Sequence, residues 1–171
     1  MAVSAPLALS YVVHVVAAGF WTGAVLYAAY AVFPAALAGE SSPAGFERSV
    51  DGLLAVTRWT GLALPLTGLY QIWVLYPLPR LFGTTRGHLV LGMLALWAVM
   101  NGVVETGVYR MRTLDGDRIG VGEYMAGGFQ VPTGVGVERL AGAGRPYVLL
   151  SAALAVLLLA DAALLAGGLS V

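Results

Sequence analysis

The chain has 171 residues, 59% of them hydrophobic and only 11% charged, with a mean hydropathy of +0.84. A water-exposed domain carries about 25% charged residues, so this composition excludes an ordinary soluble protein and points to one that lives in lipid. Nine arginines balance nine acidic residues and no lysine is present, which removes the basic stripe of a nucleic-acid binder. The absence of cysteine excludes disulfides, iron–sulfur clusters and thiolate metal sites.

A membrane-spanning helix needs roughly 20 mostly apolar residues. Four stretches meet that length: 7–37, 52–76, 88–109 and 147–169. The first has no basic leader, is too long for a signal sequence, and carries His14 with several aromatics. It also contains Gly19-Phe20-Trp21-Thr22-Gly23, a small-residue spacing that lets helices approach closely. Ordinary packing within the chain is the expected use. The connection 40–49 is short, and so is 77–87, which holds Pro77, Pro79, Arg80 and Arg86. Segment 110–146 is long, glycine-rich and too polar to span. Its composition fits a flexible loop, a cap or a partner-binding element alike. The expected fold is all-α: an integral membrane, up-down four-helix bundle forming one transmembrane domain.

Arginine placement predicts orientation. Arg48, Arg110, Arg112, Arg118, Arg139 and Arg145 fall on one side, and Arg80 and Arg86 on the other. The richer side is expected in the cytoplasm. The chain is thus a multi-pass protein of the cell membrane with both termini outside. Its expected partners are the lipid bilayer and a second copy of itself; no motif names an electron-transfer partner.

Ionisable groups within spans are costly, so they face the interior and find partners. Arg58 and Glu105 lie equally far from the middle of the 77–87 connection, which sets them at one depth on adjacent helices and predicts an ion pair. Asn101, one turn from Glu105, is placed to join them, and Gln71 completes the expected set of buried polar side chains. Such a pair serves helix register in one reading and an ion path or an anionic-ligand contact in the other. Asp161 interrupts the otherwise apolar fourth stretch with no evident cation beside it. It is read either as a protonated, hydrogen-bonded acid or as a subunit contact.

The same reflection puts His14 level with Tyr70 and with the pair Gly92 and Met93, while His88 lies about five residues further out. Imidazole is a good ligand for haem iron, zinc or copper, and Gly92 leaves room for a flat macrocycle. The axial pairs open to the chain are His14 with His88 and His14 with Met93. His14 also has the plainer reading of a neutral histidine bonded to Gln71 or a backbone carbonyl. Met93 and Met100 share one face, a pattern that serves core packing or, in the alternative, a copper path.

The run His14-x6-Trp21, followed by Gly23 and Tyr27, resembles the opening helix of two related membrane families: the copper-resistance CopD family and the HemJ-like protoporphyrinogen oxidases. Thr57-Arg58, followed by Leu64-Pro65-Leu66-Thr67-Gly68, is similar to the second helix of the CopD family. The chain has no lysine, which HemJ-like proteins use in a later helix, and Ala28-Ala29-Tyr30 stands where they carry Leu-Pro-Arg. The resemblance implies His14 as a ligand, with haem b as the expected cofactor and copper as the alternative. It leads to three expectations: a haem b protein for redox chemistry or haem handling, with His88 or Met93 as second ligand and Arg58 as a propionate contact; a copper-handling permease using His14, Met93 and Met100; and a non-catalytic subunit or scaffold.

Overall fold

The computed structural model describes residues 4–116 and 119–167, and within them every regular element is helical. Arg118, counted above among the loop arginines, and positions 168–169 of the fourth apolar stretch lie outside the described residues.

Helix α1 (Ala5–Tyr27) passes through a π-helical turn (Ala28–Val32) into α2 (Phe33–Leu37), making one continuous rod, Ala5–Leu37. The wide turn has a local cause. Pro34 has no N–H and its ring crowds the carbonyl four residues back, and the extra residue in the π turn makes room for it. Gly39, at φ 73°, then ends the rod in the left-handed conformation that suits a helix stop. Helix α3 (Pro43–Leu75) starts where the Ser42 hydroxyl accepts from the Gly45 N–H, and it stops before Pro77. A short α4 (Leu78–Gly83) leads to α5 (Thr85–Arg112), whose first turn is capped by Thr84 accepting from the Gly87 N–H. The glycine-rich segment contains one short helix, α6 (Val121–Ala126), and α7 (Val137–Ala166) completes the described chain.

The helices outrun the apolar stretches that reveal them. Helix α3 begins nine residues before position 52, and α7 begins ten before 147. These added turns are polar and lie at the same end of the molecule as the 113–136 segment. There the tightest core forms. Phe33 meets Phe46 edge-on at 5.6 Å, and Phe46 meets Phe129 at 5.9 Å. Leu140, Ala141, Val50 and Met111 close around them, each at most 1% exposed. Burying each such aromatic contributes about 2 kcal/mol or more, so this end is held as firmly as a soluble core.

The long helices pack in the ring α1–α3–α5–α7, with successive neighbours antiparallel. Ser10 and His14 face Gln71 and Thr67, and Arg58 faces Glu105. Gly107 and Gly144 set the α5–α7 approach: Gly107 lies under Tyr147, and Gly144 lies under Met111 and Phe33. Three helices, Ala5–Leu37, Thr85–Arg112 and Val137–Ala166, are long and apolar enough to cross a membrane.

The glycines give a direct test of this packing. A Cβ at Gly107 would stand 2.6 Å from the Tyr147 Cβ, whereas Gly102 on the same helix has open space above it. We expect Gly107→Ala to destabilise the detergent-solubilised protein by about 1–3 kcal/mol through overpacking. Gly102→Ala should be neutral or stabilising, since alanine is the better helix former. Thermal or denaturant unfolding compares the two, and equal effects would contradict the packing.

Candidate functional site

Polar side chains gather at two levels of the bundle. The first is the Arg58 centre, at the end covered by the 113–136 segment. Glu47, Asp51 and Arg58 recur at spacings of four and seven residues, which puts them on one face of α3. Each fastens the segment to that face. Glu47 accepts from the Val131 N–H at 3.0 Å and Asp51 from the Phe129 N–H at 3.1 Å. Gly128 is required here, because a Cβ would overlap the Asp51 carboxylate.

Arg58 is satisfied on every nitrogen. Its Nε donates to Glu105 at 3.1 Å. One terminal nitrogen donates to the Met125 and Gly127 carbonyls, and the other to Glu105 and the Tyr124 carbonyl. Five acceptors thus meet the five N–H donors of a guanidinium. Tyr124 completes the centre. Its hydroxyl donates to the Glu105 carboxylate, and the guanidinium carbons of Arg58 and Arg112 each lie 5.3 Å from its ring centroid. Burial, then the hydrogen bond to Glu105 and its negative charge, pushes the Tyr124 phenol above the ordinary tyrosine range.

The second level lies toward the other end. Gln71 donates to the Ser10 hydroxyl at 3.1 Å, and Ser10 donates to the Thr67 carbonyl at 3.3 Å. The His14 Nδ1 lies 2.8 Å from the Thr67 hydroxyl oxygen. The Thr67 hydroxyl proton is directed back to its own helix, at the Ala63 carbonyl 2.7 Å away. Its oxygen is therefore left to accept, and His14 supplies the proton. The Nδ1–H tautomer fits this arrangement, with Nε2 as the ring's acceptor nitrogen. The ring is half-buried and lies over Gly68, where a Cβ would stand 3.4 Å from the His14 Cε1.

The sequence-derived candidates divide between these levels. Arg58 and Glu105 meet, as their equal depth implies. Asn101 bonds the Trp97 carbonyl of its own helix and abuts Gly61. Gln71 belongs with Ser10 in the His14 group. His14 meets the Thr67 hydroxyl and makes a backbone hydrogen bond to Leu64, so of the plain expectations the carbonyl is met and Gln71 is not. His88 is exposed and its Nε2 donates to the Phe82 carbonyl, across the α4–α5 turn. Met93 is half-buried on α5, and Met100 is part of the core at 2% exposure. Among the described residues no group of three or more His, Asp or Glu side chains could hold a metal ion. Gly19 and Gly23 do not support an intrachain contact. Nothing lies within 4 Å above them, and they floor an open apolar groove of about 490 Å³ with Val16, Phe20, Ala24 and Val56.

No protein-family model, curated protein or solved structure matches the chain.

Two measurements test the Arg58 centre. Arg58→Ala should cost about 3 kcal/mol, the low end for a broken buried pair, because the two side chains keep 23% and 29% exposure. Removing Glu105 as well should cost less than the sum of the single changes, since a lone charge is worse than none. Additive losses in the unfolding cycle would contradict the pairing. The Tyr124 phenol supports the segment only while protonated. Its contribution is therefore complete below the ordinary tyrosine pKa of about 10 and is lost as pH rises past it. Ultraviolet titration should show one phenolate forming late, and Tyr124→Phe should remove that step.

Proposed function

We propose that this chain is a haem b-binding protein of the cell membrane that serves redox chemistry or haem handling, with His14 as an axial ligand. The observation that carries this reading is the 2.8 Å contact between the His14 Nδ1 and the Thr67 hydroxyl, which orients the ring. An axial histidine presents Nε2 to the iron while its Nδ1–H is held by a hydrogen bond that orients the ring. Thr67 supplies that bond, and Thr67 is itself anchored to the Ala63 carbonyl. Gly68 brings no side chain of its own against the imidazole, so the ring packs closely on α3. Bound haem would supply one-electron chemistry, and this chain's part is to hold the iron and to keep the porphyrin in an apolar setting.

His88 and Met93 remain the candidates for a second ligand. His88 would present Nδ1, because its Nε2 is engaged with Phe82. Arg58 has no donor to spare for a propionate, so we assign it to the architecture of the covered end. The membrane arrangement we propose has four spans, with α3 as the fourth beside the three apolar helices. Residues 59–75 carry no charge and extend about 25 Å as helix, close to the thickness of the hydrocarbon core. The arginine-rich covered end lies in the cytoplasm and both termini lie outside.

The test is an absorption spectrum of the detergent-purified chain, oxidised and then dithionite-reduced, with haem supplied if the protein emerges colourless. A Soret band that sharpens and shifts on reduction is the expected result. His14→Ala should abolish it, and Thr67→Val should weaken haem affinity by about 10–100-fold while leaving the fold intact. Full occupancy in His14→Ala would overturn the ligand assignment. No band after haem addition would overturn the haem reading, and copper bound in its place by metal analysis would establish the alternative.

A further inference from the structure

Asp161 has no role in either polar centre, yet its setting is unusual. It is the sole charged residue of α7 beyond Arg145, in a helix that is otherwise alanine, leucine and valine at this depth. It is 9% exposed, and its Oδ1 is buried without a hydrogen-bond partner. Its Oδ2 faces Gly92 across the α5–α7 interface, 3.9 Å from where a Cβ would stand. Gly92 brings no side chain, and so no polar group, against that oxygen.

The nearby ionisable groups are all otherwise engaged. On α5, His88 donates to the Phe82 carbonyl, and Arg86 donates to the Leu165 carbonyl at 3.0 Å, one turn from Asp161. On α1, His14 is held by Thr67. Helix α2 meets α7 at its opposite end, where Phe33 lies against Gly144. Among the described residues no cation and no N–H reaches the Asp161 carboxyl. A carboxylate in an apolar span with neither partner is strongly disfavoured, and taking up a proton removes the charge.

We propose that Asp161 is a proton-binding site inside the membrane: a neutral carboxylic acid at neutral pH, set between α7 and the Gly92 side of α5. The step is a simple acid ionisation. The O–H bond breaks, the proton passes to water entering from the Arg86 end, and the electron pair stays on the carboxylate. The Arg86 guanidinium, one turn away, offsets that transient charge. The inference does not depend on haem, and its test contains no haem readout.

The probe is dicyclohexylcarbodiimide, which reacts with protonated carboxyls in apolar surroundings. The acid O–H adds across a C=N bond of the reagent, and the product rearranges to a stable N-acylurea, so the labelled peptide gains the mass of one reagent molecule. The full chain in detergent and in lipid vesicles would be treated between about pH 6 and about pH 9, and the Asp161 peptide read by mass spectrometry. We expect labelling at neutral pH that falls as pH rises. It should be lost in Asp161→Asn and kept in Asp161→Glu. Protection by sodium ions at constant pH would overturn the proposal in favour of a metal-cation site. Infrared difference spectra provide a readout that needs no reagent access. The neutral-acid carbonyl band should be present at neutral pH and absent from Asp161→Asn, and a carboxylate band there instead would overturn the proposal.

Discussion

The covered end of the molecule depends on one guanidinium. Arg58 joins three parts of the chain that are far apart in sequence: α3, Glu105 on α5, and the carbonyls of Tyr124, Met125 and Gly127. A half-buried arginine within a helix bundle is best held when its charge is paired and all its N–H groups are used. That requirement explains the glycine-rich segment better than flexibility does. The segment must bring three carbonyls to one cation and pass close to Asp51, and Gly127 and Gly128 permit the approach. Tyr124 then fits beneath two arginines because its ring face attracts both and its hydroxyl reaches Glu105. Once this arrangement is set, Phe129 is carried into the aromatic core with Phe46.

Much of this was legible in the sequence, for definable reasons. Long apolar runs show where helices lie, because hydrocarbon allows little else. The depth of Arg58 against Glu105 was legible because a short hairpin connection fixes the register of two helices with equal rise. Other features carried no such sign. The first turns of α3 and α7 are helical but polar, so hydropathy alone does not register them. The docking of Tyr124 depends on partners from α3 and α5, and no local pattern announces it. A signal did exist on the receiving side: Glu47, Asp51 and Arg58 form a polar stripe that a covering segment had to meet. The His14 partner was missed for a different reason. Thr67 and Gln71 lie one turn apart on the same α1-facing side of α3, and a register offset of one turn gives Thr67 to His14 and Gln71 to Ser10.

The two ends of the bundle therefore do different work. At the covered end the Arg58 guanidinium is saturated and the core is closed by Phe33, Phe46 and Phe129. The Arg58 centre acts as a clamp between α3, α5 and the 113–136 segment. At the other end the polar groups are incompletely used. His14 bonds Thr67 through one ring nitrogen, Asp161 keeps an oxygen without a hydrogen-bond partner, and each packs against a glycine, Gly68 and Gly92. Unused hydrogen-bonding capacity in a buried setting is what sets this half apart from the covered end.

This division also explains how the chain tolerates an uncompensated acid and a half-satisfied histidine. Unpaired polar groups in a span weaken a fold, and their cost must be offset by firm packing elsewhere. The covered end supplies that packing outside the apolar stretches, where an aromatic core and a saturated ion pair can form as they do in soluble proteins. The helices are consequently longer than a membrane requires. Their extra turns hold the bundle together and leave the opposite half free to keep the polar, loosely packed character that ligand or proton binding demands.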